Sequence, residues 1–288
     1  MSGWPLQPPT ALEYFAALVA DDVGPALVEA AVLVAQDDYP GLDVQAVLCD
    51  IDDLGVRLAR RIPADAAPMQ RLRQLNRFFF DELGFQGNVN DYYDPRNSYL
   101  HEVLATRRGI PITLALLYAE LAGHARLQAR GVGFPGHFLV KLSLPRAEVV
   151  IDPFSGQSLS REELEARLQP YRRRQSVPGG VELPLALFLQ AAAPRDTLAR
   201  LLYNLKEIHR SAQDWPRLVG VMDRLVILLP GRWEERRDRG LALLELGRHD
   251  GAAQDLSAYL AHRADAPAAQ AVSRHLAQLQ RPGGRQLH

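Results

Sequence analysis

"FPGHFLVKLSLPRAEVVIDPF", residues 134–154, decides how this chain is read. Through "HFLVKLSL" the apolar residues Phe138, Val140, Leu142 and Leu144 alternate with His137, Leu139, Lys141 and Ser143, the period of two expected of a half-buried strand. "EVVID" follows after a Pro145-Arg146 turn, so the stretch predicts a hairpin. Folded that way, His137 heads one strand and Asp152 ends the next, which brings both to the same edge of a sheet. A histidine beside an aspartate is the base and orienter of a catalytic triad, and the pair raises the question of a nucleophile.

Upstream, from Thr10 to about Leu83, the spacing is helical. Thr10 is placed to cap "ALEYFAALVA", Leu42 to Ile62 carries apolar residues three and four apart, and "MQRLRQLNRFFFDEL" (69–83) repeats the habit. Pro95 and Asn97 mark a turn, and Gly109 with Pro111 separates two further helices. Pro111 falls at a first helical position, where its missing N–H is tolerated.

Downstream, "YRRRQSVPGGVELP" (171–184) reads as a linker, and Arg172, Arg173 and Arg174 lack the interleaved aromatics of a nucleic-acid surface. Residues 198–230 and 232–267 each read as two amphipathic helices around a polar turn. They close on Pro230 and Pro267, 37 residues apart. That is near the tetratricopeptide period of about 34. Gly240, Leu243, Ala252, Leu256 and Tyr259 occupy the small and large positions of the second unit, and Leu218, Met222 and Leu225 those of the first. A last helix, "AAQAVSRHLAQLQ", follows.

A Cys-His-Asp triad sets its thiolate at a helix N-terminus, where the dipole and free N–H groups lower the thiol pKa. "RRGIPITLALLYAELAG" (107–123) supplies such a helix start, His137 the base and Asp152 the orienter. This helix, strand, strand order resembles the transglutaminase-like superfamily, whose pattern is Gly-x-Cys opening a helix, then a His, then an Asp. Laid on this chain, the pattern sets its glycine on Gly109, its small helical residue on Ala115, its histidine on His137 and its aspartate on Asp152. Its cysteine falls on Pro111. The resemblance thus implies a core that keeps the base and the orienter and lacks the nucleophile.

More narrowly, "NSYLHEVLATRRGIPITLALLYAEL", "GVGFPGHFLVKL" and "IDPFSGQSLS" are similar to the SirB-type branch, which joins a divergent transglutaminase-like core to C-terminal tetratricopeptide repeats. The resemblance spans nearly the whole chain and implies no substrate. Regulators of invasion genes fall in this branch, and a related core occurs in a eukaryotic F-box protein.

Several readings of the site stay open. Thr113, two residues past Pro111, and Ser98, in the preceding turn, are surrogate nucleophiles, each needing direct contact with a base and an oxyanion hole. His137 and Asp152 can equally be a hydrogen-bonded pair pinning a sheet edge, worth about 1 kcal/mol, or part of a retained binding cleft. Asn97, Ser98, Tyr99, Arg107, Arg108 and Gly136 are candidates to frame that cleft. Cys49, in "VQAVLCDIDDLG", reads as a buried core thiol. "HEVLA" begins at His101 like a zincin helix but has Ala105 where a second histidine would stand. No metal and no cofactor is expected, and "GVGFPG" leads into a strand where a dinucleotide fingerprint opens a helix.

Composition bounds the rest. The 288 residues suit about two domains. The net charge of −1 gives no field to draw nucleic acid or an anionic membrane. The charge is uneven: residues 1–60 hold ten acids against Arg57 and Arg60, which suggests solvated helix faces meeting basic surfaces within the protein. One cysteine excludes an internal disulfide, and neither a signal peptide nor a spanning segment is read, which points to the cytoplasm. The expected fold is α+β: residues 1–177 a transglutaminase-like, cysteine protease-like core with a helical N-terminal block and a small antiparallel sheet, and 178–288 an all-α tetratricopeptide-like region. The function expected is a non-catalytic interaction or regulatory protein with a protein or peptide partner on the repeats. A hydrolase or acyl transferase acting on amide bonds through a hydroxyl or water, with His137 and Asp152, is the alternative.

Overall fold

The computed structural model describes residues 9–20, 26–175 and 183–279. Helix α1 (Ala11–Val19) starts at a reciprocal capping box: Glu13 N–H donates to the Thr10 hydroxyl at 3.2 Å, and the Glu13 carboxylate accepts the Thr10 N–H at 2.8 Å. After α2 (Leu27–Leu33), Asp43 caps α3 (Val44–Ala59) through the Ala46 N–H at 3.1 Å. The buried stripe of α3 is Val44, Val47, Ile51, Leu54 and Leu58, and Cys49 falls on the opposite face. Cys49 is therefore exposed, which corrects the reading of a core thiol. Helix α4 (Pro68–Asn76) runs into a wider π turn, Arg77–Glu82, where the Leu83 N–H reaches the Phe78 carbonyl at 2.9 Å. Neighbouring Phe78 and Phe79 are both buried there, with Phe79 stacked on Phe85.

The chain forms two compact units, one of residues 24–36 and 41–201, the other of residues 1–23, 37–40 and 202–288. In the first, β1 (Gln86–Gly87) pairs in parallel with β2 (Arg108–Gly109), and between them lie a 3-10 turn, Pro95–Ser98, and α5 (Leu100–Thr106). Helix α6 (Pro111–His124) takes Pro111 at its first position and is buried without interruption from Pro111 to Tyr118. Its apolar residues surround the axis, the mark of a helix enclosed by its domain. Tyr118 donates to Asn76 Oδ1 at 2.6 Å, and burial pushes its phenol well above the ordinary value.

Strands β3 (Gln128–Val132), β4 (Leu139–Leu144), β5 (Ala147–Asp152) and β6 (Gln157–Leu159) form one sheet in that spatial order, every neighbour antiparallel. The predicted hairpin is β4 and β5, paired from Val140 with Ile151 to Leu144 with Ala147 around Pro145-Arg146. Leu139, on the face expected to be polar, is fully buried. It joins Val132, Val150 and Leu159 against Leu164 and Leu168 of α7 (Arg161–Gln175) and Leu185 of α8 (Leu185–Phe188). The sheet is thus covered on the α7 face as well as by α6, which packs on β3 and β4. Residues 171–175, expected in a linker, belong to α7, where Arg172 pairs with Glu165 at 2.5 Å; residues 176–182 lie outside the described residues.

Helix α9 (Pro194–Ser211) gives its first turns to this unit and the remainder to the second. There α10 (Trp215–Leu228), α11 (Trp233–Glu245), α12 (His249–His262) and α13 (Ala269–Leu279) follow as the helical repeats predict. Leu218, Met222, Leu243 and Ala252 form one core cluster, and Leu256, Tyr259 and Val272 another. Gly240 lets α11 close on α12, since a Cβ there would lie 2.9 Å from the Leu256 side chain. Helix α1 packs on α10, where the buried guanidinium of Arg224 bonds to Asp37 and lies over the Phe15 ring, and Arg217 bonds to Asp38 at 2.8 Å. These are two of the ten early acids meeting basic side chains, as the charge pattern suggests. Asp37→Ala removes the carboxylate facing a buried charge and is expected to cost about 3 kcal/mol, read as a lower urea midpoint at unchanged slope.

Candidate functional site

Continued one step past Val140 and Ile151, the β4–β5 register sets Leu139 opposite Asp152, so His137, two residues earlier, reaches the aspartate across the strand ends. His137 Nε2 lies 2.8 Å from Asp152 Oδ1. The chain turns into this position at Gly136, whose φ of +70° and closeness to the Tyr171 hydroxyl both exclude a side chain. Asp152 is 4% exposed and accepts two further bonds, from the Phe154 N–H at 3.0 Å and from Arg167 Nη1 at 3.1 Å. Burial alone would raise its carboxyl, but the bonds and charge of His137, then Arg167 and the Phe154 N–H, outweigh it and hold the pKa down at about 2.

An ionised carboxylate only accepts, so Nε2 of the imidazole carries the proton and, in the neutral ring, Nδ1 keeps the lone pair. Among the described residues the ring makes no second hydrogen bond. Chemically this is an oriented base with its accepting nitrogen available.

The surroundings come from elements the sequence reading did not connect with the site. Arg200 of α9 donates to the His137 carbonyl at 2.6 Å and to the Phe134 carbonyl at 3.3 Å, with its guanidinium over the Phe138 ring. Arg167 comes from α7. Phe154 stands edge-on to His137 at 6.3 Å between ring centroids, and Tyr92 lies 5.9 Å from Phe154. Only tertiary folding unites these positions, although the basic character of Arg167 and Arg200 was visible.

The other sequence candidates gather elsewhere. Pro111 is buried at the head of α6. The Thr113 hydroxyl lies 2.8 Å from the Asn97 carbonyl and 3.1 Å from the Ile110 carbonyl, and accepts the Ile110 N–H at 3.2 Å. Gly109 is required there, because a Cβ would come within 2.8 Å of that hydroxyl. The Ser98 hydroxyl is fully buried and finds no partner among the described residues. No hydrogen bond joins the His137 ring to either hydroxyl. Asn97 organises the loop before it, donating to the Asp91 carbonyl at 2.6 Å and accepting from Asn88 at 3.0 Å. Tyr99 is buried and stacks on His101. Arg107, in the left-handed region at φ 60°, covers the Phe85 ring, and Arg108 donates to the Gly84 carbonyl at 3.0 Å. These guanidinium groups thus brace the 84–86 turn.

Residues 45–203 match the transglutaminase-like superfamily, and residues 205–277 match tetratricopeptide repeats. The chain belongs to the transglutaminase-like superfamily. Among its relatives, the UPF0162 protein of Xylella fastidiosa is 42% identical over 195 residues, covering 66% of this chain and 67% of that one. The UPF0162 protein of Pseudomonas aeruginosa is 28% identical over 267 residues, 92% of this chain and 94% of that one. Human F-box only protein 21 is 43% identical over 72 residues, 25% of this chain and 12% of its own. The SirB-type resemblance carried by GIPI, FPGHF and IDPF is borne out by the two family matches together with the UPF0162 relatives.

The Asp152 carboxyl has a folded pKa depressed to about 2 from 3.8, so its contribution is fully present above the unfolded value and lost as pH falls through the folded one. Asp152→Asn is expected to lose about 2 kcal/mol at neutral pH. The gap from wild type should narrow as pH drops from about 4 towards 2, measured by paired denaturation curves; a gap independent of pH would refute the assignment.

Proposed function

We propose that this chain is a cytoplasmic interaction and regulatory protein, built on a transglutaminase-like core that performs no acyl transfer. The observation that supports this reading is Pro111 at the first position of α6, the position on which the resemblance to the superfamily pattern sets the cysteine. A proline ring offers no nucleophile. The nearest hydroxyl on the helix, Thr113, is engaged in holding the helix start to Asn97 and Ile110, and Ser98 is sealed from solvent. His137 and Asp152 then act as a hydrogen-bonded clasp on the sheet edge.

The tetratricopeptide repeats supply the interaction surface. Such repeats commonly mediate protein–protein contact, and their stacked helices leave extended concave surfaces. In this chain a cavity of about 670 Å³ is lined by Trp215, Leu218, Met222 and Leu241 beside Lys206 and Asp238. That mixture suits an amphipathic peptide or helix.

A hydrolase using water is the competing reading, and the available Nδ1 of His137 is the feature that favours it. An amide-substrate and fluorophosphonate screen of wild type and His137→Ala separates the two. The expected outcome is no turnover that depends on His137; turnover lost in the variant overturns the proposal. Pro111→Cys in a Cys49→Ser background provides a second test. The new thiol should titrate below an ordinary cysteine, as expected of a helix N-terminus, read from the pH dependence of its labelling by iodoacetamide. A thiol of ordinary reactivity would show that Pro111 does not occupy the nucleophile position. For the repeats, equal recovery of partners from native lysate by wild type and Leu241→Glu would count against the groove.

A further inference from the structure

We propose a divalent-cation site of the zinc class formed by Asp52 of α3 with Glu120 and His124 of α6, distinct from the His137 edge and independent of how that edge is read. One ligand atom from each residue lies within 4.8 Å of the others, and His124 Nε2 is 3.5 Å from Asp52 Oδ1. Donors around a tetrahedral ion with metal bonds of about 2.0–2.1 Å sit roughly 3.4 Å apart. The histidine–aspartate pair already has that spacing, with a Glu120 carboxylate oxygen within 4.8 Å of both.

The fold prepares these ligands. Glu120 and His124 are four residues apart, on one face of α6. The His124 ring lies against α3 at Gly55, where a Cβ would overlap it, so the missing side chain at 55 seats the ring one turn from Asp52. His124 is the last residue of α6, at the carbonyl end of the helix dipole, which favours a cation.

The space beside the cluster also points to a ligand. Asp52 and Glu120 also line a cavity of about 540 Å³, whose apolar walls include Leu48, Ile51, Leu116 and Phe138. Three protein ligands leave a zinc-type ion at least one open position, and a cavity sharing two of the ligands gives that position somewhere to bind a fourth donor. One imidazole nitrogen with two carboxylates suits Zn²⁺ or Co²⁺ better than Mg²⁺, which prefers oxygen ligands and retained water. Sequence reading could not find the set, because Asp52 lies on a different helix from the other two and no spacing motif links them.

The test uses the full chain, stripped with a chelator and dialysed, titrated with Co²⁺ by visible absorption and with Zn²⁺ by calorimetry. One ion per chain is expected, with Co²⁺ bands lost in His124→Ala and Zn²⁺ affinity at least about tenfold weaker in both His124→Ala and Asp52→Asn, the range usual for loss of a metal-site interaction. Far-UV circular dichroism and the metal-free thermal midpoint check folding, and Asp52→Asn, an exposed isosteric change, keeps the test valid if His124→Ala unfolds. The proposal is overturned if wild type binds no ion, if both variants bind as wild type does, or if binding is lost in His137→Ala and kept in His124→Ala.

Discussion

A carboxylate almost sealed from water must be surrounded by donors, and Asp152 meets that requirement with donors from several parts of the chain. His137 precedes β4, Arg167 comes from α7, and the Phe154 N–H comes from the turn that follows β5. The Asp152 carbonyl accepts the Gly156 N–H at 2.8 Å and so closes the same turn. One ionised group therefore fixes the hairpin end, the approach of a helix and the exit from the sheet. Arg200 extends the arrangement through the carbonyls of Phe134 and His137, holding the loop that carries the imidazole.

The head of α6 is governed by packing. Thr113 ties the helix start to the Asn97 carbonyl, and the approach is close enough that residue 109 has no room for a Cβ. Pro111 enters the helix where no amide hydrogen is needed, and its ring adds apolar surface to an enclosed position.

Much of this was legible in the sequence. The alternation around 138–144 and the two-residue turn predicted the hairpin, and with it the nearness of His137 and Asp152. Helical periodicity and Thr10, Pro111, Pro230 and Gly240 predicted the helices and the repeat-like pairs. What escaped depended on tertiary neighbours. Leu139 looked solvent-facing because alternation assumes a sheet covered on one side, whereas α7 covers the second. Strands β3 and β6 are short and polar, "QARGV" and "QSL", and are defined by their partners rather than by their composition. The arginine run at 172–174 resembled a linker until the pairing of Arg172 with Glu165 extended α7 through it. Arg167, Arg200 and Tyr92 carry no local signal, since nothing in their neighbourhoods indicates the imidazole they surround.

The division of the chain into units has a consequence for its birth on the ribosome. Residues 1–23 and 37–40 belong to the unit completed by residues 202–288, whereas the other unit is contained between residues 24 and 201. Emerging N-terminus first, the nascent chain exposes α1 long before α10 exists to cover it. The enclosed unit has all its strands and the buried helix α6 at hand while translation continues, so it can form first. The repeat-bearing unit must wait for α10 before Asp37 and Arg224 can meet, closing a loop of nearly two hundred residues after the enclosed unit has emerged.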